Sequence, residues 1–415
     1  MATSDKKTVI IIGSGWAGST LSTSLDERQF SITVVSPSST TPYTPLLASA
    51  ACGLYDFSTV ETPIRHTGKK IKFVKASVQK IDFKNKKCFC KPVFDVGITE
   101  FVLEYDIIVL TPGCTTNTFG TPGVEEHALF VRDAQDAKRV ASRVQDAFEK
   151  ASIPGLTDEQ QREILHFVIV GAGPTGVELS SELSDLFDGG YAKLYPHLKG
   201  KVSIAVHDVA PQVLSSFDAK LQDYAMSSFN KRNVKILTGS HIEKVEEKSI
   251  HTKEKGHIPC GLVIWATGNK PTPLVESLPL KKTSKQKRIM TDAFLHVFEE
   301  SCEVIFDAFA LGDAADIDSE SLPTTAEVAC QKANYLANSL NGGFQKPFKY
   351  EQKAIVAYLG QNDGVISGKR DYSGAQAWIA WRSKNFLWTR TWRQKAQIVV
   401  GWILDVFTGR AVAPR

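Results

Sequence analysis

Two glycine clusters carry the clearest chemistry in this 415-residue chain. Val9–Ile12 runs into Gly13-Ser14-Gly15-Trp16-Ala17-Gly18, and Phe167–Val170 runs into Gly171-Ala172-Gly173-Pro174-Thr175-Gly176. Each apolar run is long enough for a buried parallel strand, and each cluster leads into a helix-compatible stretch. The first glycine permits the tight turn, and the second lets backbone approach a pyrophosphate. The third lets the helix pack close to the strand, so that its N-terminus faces the anion. One such cluster is a weak signal. Two in strand–turn–helix context, about a domain apart, imply two dinucleotides, one a flavin and one a nicotinamide.

The residue that ends the second strand of a nucleotide unit commonly selects the nicotinamide cofactor. An acid there accepts hydrogen bonds from the ribose 2′-OH and repels a 2′-phosphate. In the second unit that strand ends at His207-Asp208, which nominates Asp208 and favours NADH; the alternative is a surface-loop aspartate. The spacing from Gly171 is longer than the usual ~20 residues, and Ser184–Gly200, with its Gly189-Gly190 pair, accounts for the excess. In the first unit the strand ends at Ser36-Pro37, where Ser36 gives a weaker ribose signature. Asp313, after the strand Phe306–Leu311 and Gly312, suits ribityl or phosphate contacts, or serves as a strand-end turn residue.

These motifs must be positioned by alternating strands and helices, which argues an α/β class with parallel sheets. The reading is of two Rossmann-like dinucleotide-binding domains, the flavin domain interrupted by the nicotinamide domain, plus a C-terminal amphipathic helical segment. The expected boundaries are 1–125 with 285–345 for the first domain, 126–284 for the second and 346–415 for the tail. Strands are expected at Ser31–Val35, Phe101–Leu110, Val202–Val206, Val234–Leu237 and Leu262–Trp265. Helical periodicity covers Asp133–Lys150, with Ala137, Val140, Ala141, Val144 and Phe148 on one face. Gly120–His127 reads as a linker, Lys281–Arg288 as a solvated loop and Pro323–Leu340 as an alanine-rich helix.

Composition sets the limits. The chain is too long for one core, and its 42% hydrophobic and 23% charged residues are those of an ordinary globular protein. Seven cysteines lie without a Cys-x-x-Cys, so neither a zinc site nor a dithiol pair is expected, and no metal is assigned. Cys88 and Cys90 would share one face of a strand as small buried residues. No nucleic-acid patch is expected. No secretory or arginine-rich leader is read before Val9, and the apolar run Ile398–Leu404 is far short of a bilayer span.

The tail is physically distinct. Residues 369–415 carry nine Lys or Arg against two acids, while the rest of the chain sums to about −3. Five of the seven tryptophans lie there: Trp378, Trp381, Trp388, Trp392 and Trp402. Trp388, Trp392, Ala396, Val399, Ile403 and Phe407 recur at helical spacing, with Arg390, Arg393, Lys395 and Gln397 on other faces. Such a helix suits an anionic membrane surface, or else packs on the protein's own core or on a second copy in a homodimer.

The landmarks Gly13–Gly18, Ser36-Pro37, Thr44-Pro45-Leu46-Leu47, Val60–Arg65, Gly171–Glu178, Ala310–Asp313 and Ala326–Lys332 occur in an order that resembles the type II NADH:quinone oxidoreductases, the alternative NADH dehydrogenases. The resemblance implies non-covalent FAD, oxidation of NADH without proton pumping, reduction of a quinone, and a peripheral seat on a membrane such as the mitochondrial inner membrane, against a cytoplasmic location. It would give Gly13, Gly15 and Gly18 to the FAD pyrophosphate and Asp313 to its ribityl chain. Ser36 would be near the ribose, and Thr44–Leu47, Thr44 and Pro45 foremost, would border the flavin ring. Gly171, Gly173, Gly176 and Asp208 would hold NADH. Glu178 would lie by the nicotinamide–flavin contact, or simply complement the helix dipole. Gln331 would mark the quinone end, with Lys332 stabilising a developing quinol anion or lying at the helix surface.

The chain departs from the family at Gln331-Lys332, where two glutamines are usual. It departs also at Ser38 after Ser-Pro, at Ala48 after Pro-Leu-Leu, at Thr62, and at Ala411 after Gly409-Arg410. A relative that reduces another acceptor in a biosynthetic pathway, and a non-enzymatic NADH-binding regulator, are the alternatives.

Overall fold

The computed structural model describes residues 6–410 except 67–69, 215–216, 233, 345 and 369. Two compact units emerge. One comprises 1–42, 62–115 and 269–351; the other comprises 43–61, 116–268 and 352–415. The tail therefore clusters with the central segment rather than standing apart, and so does the short excursion 43–61.

In the first unit, Lys7–Ile12 lies at the heart of a 10-stranded sheet, flanked in parallel by Phe30–Ser36 and Ile107–Leu110. Val304–Ala310 continues the sheet on one side and Lys72–Asp82 on the other, also in parallel. The apolar run buries both faces, as a parallel strand must. Val9 and Ile11 pack with residues of the helices Trp16–Ser24 and Ala326–Gly342. Ile10 and Ile12 point to the opposite layer, with Val78, Ile81, Cys88 and Cys90.

Three expectations need correction here. The run 101–110 is broken at Tyr105-Asp106, giving Phe101–Glu104 and Ile107–Leu110. The first piece pairs antiparallel at the sheet edge and the second enters the parallel core. The alanine-rich helix starts at Ala326, because the hydroxyl of Thr325 accepts from the Val328 N–H and caps it. Arg288, at the end of the expected solvated loop, is nearly buried and pairs with Asp316 at 3.4 Å.

The second unit is a four-stranded parallel sheet with His166–Val170 between Ser203–Asp208 and Leu262–Trp265, and Val234–Thr238 at the edge. Ala134–Ala151 forms the expected helix, its N-cap Asp133 accepting from the Asp136 N–H; Ala137, Val140, Val144 and Phe148 are buried. Ser184–Gly200 completes the helix Pro174–Leu186 and continues as a wide helical turn, Phe187–Tyr191. This turn inserts Phe187 and Tyr191 beside Phe148, with ring centroids 5.3 and 4.3 Å away. The expected linker contains one short helix, Val124–His127. The tail forms two helices, Ala375–Trp388 and Trp392–Thr408, rather than one. The break falls at Thr389–Thr391, where Thr391 and Gln394 make a reciprocal capping box.

Candidate functional site

The two glycine turns repeat one geometry. Gly13 and Gly171 adopt φ of +107° and +112°, a region open to glycine. A Cβ on Gly13 would strike the Thr111 carbonyl, and one on Gly171 the Ala266 carbonyl; each of these residues follows the neighbouring strand. A Cβ on Gly18 or Gly176 would collide with the carbonyl of Gly13 or Gly171. The middle glycines differ: a Cβ on Gly15 or Gly173 would meet nothing within 4 Å. Both stand at the N-caps of their helices. Each turn thus holds open space at a helix N-terminus, where the dipole favours an anion. That open space is what a dinucleotide pyrophosphate fits, and a side chain there would fill it.

The strand-end residues lie beside these turns. Asp208 closes Ser203–Asp208, and its Oδ2 accepts from the Ala172 N–H at 2.5 Å, while Oδ1 accepts from the Ala210 N–H at 2.7 Å. The carboxylate is therefore fastened to the glycine turn itself. Ser36 is buried, its hydroxyl 3.0 Å from that of Ser14 and accepting from the Ser38 N–H. It braces the first glycine turn. Asp313 follows Gly312, whose Cα faces Ala17 of the first nucleotide helix. The Cys114 thiol donates to Asp313 Oδ2 at 3.4 Å, and burial raises the Asp313 carboxyl above its ordinary range.

The chain matches the pyridine nucleotide-disulphide oxidoreductase family over residues 7–333. It is 32% identical over 419 residues to a probable NADH dehydrogenase of Dictyostelium discoideum, covering 99% of this chain and 91% of that protein. It is 36% identical to the mitochondrial external alternative NAD(P)H-ubiquinone oxidoreductase B2 of Arabidopsis thaliana, covering 79% of this chain and 58% of that one. The chain thus spans a little over half the length of that plant relative. Its fold superposes on NDH2 of Plasmodium falciparum in complex with NADH at a TM-score of 0.92, with 22% identity, covering 98% of this chain and 100% of that one. The chain belongs to the pyridine nucleotide-disulphide oxidoreductases, in their type II NADH dehydrogenase branch.

This oxidoreductase has no exposed dithiol among its described cysteines. Cys88 and Cys90 come within 3.7 Å but are wholly buried on the strand Lys87–Pro92. Its other distinctive chemistry lies along one helix. Glu178, Glu182 and Asp185 recur at i, i+4 and i+7 on Pro174–Leu186 and so share a face. Glu178 accepts from the Trp381 indole at 3.2 Å and from the Tyr358 N–H at 3.4 Å, and desolvation pushes its pKa up to about 8. Glu182 is completely buried and accepts from the Ser49 hydroxyl at 2.7 Å; Arg410 closes on its other oxygen at 2.5 Å. Asp185 takes Arg410 at 3.3 Å, Arg232 at 3.0 Å and the Tyr358 hydroxyl at 2.6 Å.

Sequence reasoning singled out Glu178 and did not single out the other two acids. Their spacing placed them on a face that a helix normally buries with apolar side chains, which is a readable signal. Their cation lies 225 and 228 residues away and leaves no trace in the local pattern.

Lys332 does not lie at the helix surface. It is 1% exposed, among Asp316, Asp313, Glu320 and Arg288, and desolvation lowers its pKa to about 8. Gln331 spends its amide on Glu327 at 2.7 Å and on the Glu351 backbone, accepting at 3.1 Å and donating at 2.9 Å. Thr44 and Pro45 open a short turn in the second unit, with Thr44 exposed.

In the tail, Trp392, Val399, Ile403, Val406 and Phe407 are exposed, while Gln394 and Ile398 are buried. Beside this helix is a cavity of 690 Å³, bordered by Tyr55, Phe57, Tyr191, Val400 and Leu404. Among the described residues, no helix is long and apolar enough to cross a membrane. Ala411 lies outside the described residues.

Proposed function

We propose that this oxidoreductase takes hydride from NADH and delivers the electrons to a quinone, without moving protons across a membrane. Bound FAD supplies the two-electron relay between donor and acceptor. The observation that carries the reading is the repeated glycine geometry, which provides one helix-capped anion site in each unit. Gly13, Gly15 and Gly18 receive the FAD pyrophosphate, with Asp313 toward the ribityl hydroxyls and Ser36 holding the turn in shape. Gly171, Gly173 and Gly176 receive NADH, with Asp208 selecting an unphosphorylated ribose.

Glu178 holds its proton at neutral pH and stands as a neutral hydrogen-bonding carboxyl near the redox centre. Lys332 supplies positive charge close to Asp313, on the side where the acceptor is reduced. Gln331 orients the chain there through its two bonds to Glu351. The 690 Å³ cavity has the size that a lipophilic quinone requires, and its lining mixes Tyr55, Phe57, Val400 and Leu404 with the charged Asp56, Arg393, Asp405 and Arg410. The exposed apolar face of Trp392–Thr408 supports a peripheral seat on an anionic membrane, consistent with a mitochondrial location, and a second copy covering that face is the competing outcome.

The test is anaerobic: NADH added to the purified protein bleaches the visible flavin absorption, and a short-chain ubiquinone analogue restores it. A protein that binds NADH without bleaching would be a regulator rather than an enzyme. Reduction followed by reoxidation only with soluble non-quinone acceptors would reassign the second substrate.

A further inference from the structure

The second unit holds a small antiparallel sheet in which Ser249–Thr252 lies between Ile242–Glu246 and Gly256–Pro259. His251 stands directly across from His257. Residues opposite one another in such a pair project from the same face, with Cβ atoms about 4.5–5.5 Å apart. Glu246 is registered with Ser249, two residues from His251 and so on that same face. Three strands therefore deliver a carboxylate and two imidazoles to one spot. One ligand atom from each of Glu246, His251 and His257 lies within 4.8 Å of the other two.

We propose that Glu246, His251 and His257 form a binding site for Zn²⁺ that clips these three strands together. The Glu246 Oε2 to His251 Nε2 separation is 3.4 Å. Two ligands on tetrahedral zinc, with bonds of about 2.0–2.1 Å, stand about 3.3 Å apart, so this edge of the site is already at metal-binding length. The imidazole rings are 5.1 Å apart at 68° to one another, and one ligand atom of the exposed His257 lies within 4.8 Å of those of Glu246 and His251.

The carboxylate is held in place. Ser249 donates to Oε2 at 2.9 Å, and Lys244 occupies Oε1 at 2.6 Å, which leaves Oε2 facing the Nε2 of His251. Partners of this kind orient metal-ligating side chains. Two imidazoles and one carboxylate form the three-ligand set that zinc accepts, with a water completing the tetrahedron. His257 is exposed and the other two are half-buried, so that fourth position opens to solvent. Because the ligands come from three strands, the ion would act as a cross-link; this role is separate from hydride transfer.

The experiment uses metal-free full-length protein titrated with Co²⁺, then with Zn²⁺. One equivalent of Co²⁺ should produce the visible bands of a four-coordinate ion, and Zn²⁺ should displace it and raise the thermal midpoint. His257→Ala should weaken Zn²⁺ binding by about 10- to 100-fold, the size of effect that losing even a supporting partner has at metal sites. His241→Ala, whose ring pairs instead with Glu254, should bind as the unmodified protein does. Flavin content and NADH-driven bleaching, unchanged in both variants, would certify the fold. Six-coordinate Co²⁺ spectra, or equal affinity in His257→Ala, would overturn the site and leave the proposed NADH oxidation untouched.

Discussion

Arg410 places its guanidinium 2.5 Å from the buried carboxylate of Glu182, a residue 228 positions earlier in the chain. The pair is nearly dry: the Glu182 side chain is 0% exposed and that of Arg410 17%. Removing one partner of a buried pair leaves an uncompensated charge, which destabilises by about 3–5 kcal/mol. Arg410→Ala should therefore lower the urea midpoint markedly, while Arg410→Ala combined with Glu182→Gln should recover part of the loss. A single variant as stable as the parent would show that the pair contributes nothing.

The middle and last glycines of each turn should fail differently. Gly18→Ala and Gly176→Ala put a methyl group into a backbone carbonyl, so both should lower stability before any ligand is added. Gly15→Val and Gly173→Val place side chains in open space and should fold, yet block the nucleotide. Gly173→Val should retain yellow colour and lose bleaching by NADH, whereas Gly15→Val should emerge colourless. Identical behaviour of the two valine variants would refute the assignment of one nucleotide to each turn.

Asp208 fastens the glycine turn as well as facing the proposed ribose. Asp208→Asn keeps an acceptor for one backbone N–H while removing the charge that rejects a 2′-phosphate. The expected loss is about 1.5–3 kcal/mol, read as a fall of roughly 10- to 100-fold in the preference for NADH over NADPH. An unchanged ratio of kcat/KM for the two nucleotides would move specificity elsewhere.

Glu178 should make stability depend on pH. Its carboxyl titrates near 8 when folded, against about 4.3 in an unfolded chain. The stability gained from holding this proton is complete below the unfolded value and is lost as pH rises through 8. Glu178→Gln, permanently neutral, should therefore gain stability relative to the parent from about pH 4.5 to 8, and its NADH-dependent rate should lose any inflection near pH 8. Parallel stability curves for the two proteins over that range would exclude a raised pKa.

Membrane seating is best tested by point changes. Cutting the chain near Lys369, itself outside the described residues, would also remove Trp381 from Glu178 and Arg410 from Glu182. Replacing Ile403 and Phe407, both exposed, by Glu leaves those contacts in place. The parent should pellet with anionic liposomes at low salt and the double variant should not, while NADH still bleaches both. If the parent ignores liposomes and sediments as a dimer that the double variant disrupts, a second copy covers the face instead.

Much of the architecture was legible because it repeats local rules. Gly13 and Gly171 announce turns that tolerate no other residue, and the four residues before each, Val9–Ile12 and Phe167–Val170, are all apolar because both faces are covered. The boundaries that failed depend on residues far away or on single capping groups. Tyr105-Asp106 splits an apolar run because only its second half reaches the parallel core. Thr391 splits an apparently continuous helical stripe because its hydroxyl caps a new helix. Lys332 resembled a surface lysine by type, and only the convergence of Asp313, Asp316 and Arg288 around it reveals a buried cation. Glu182 and Asp185 were hidden for the same reason, since a salt bridge spanning more than half the chain leaves no periodic mark.

The Trp392–Thr408 helix is tethered near its beginning by the Gln394 amide, which donates to the carbonyls of Thr59 and Glu61 at 3.1 Å each, and just past its end by Arg410. These two polar moorings fix the helix about its own axis. To turn Val399, Ile403 and Phe407 inward, the protein would have to break both at once and strand a buried amide and a buried carboxylate. The outward greasy stripe is thus an enforced orientation, available at every moment rather than only after a conformational change.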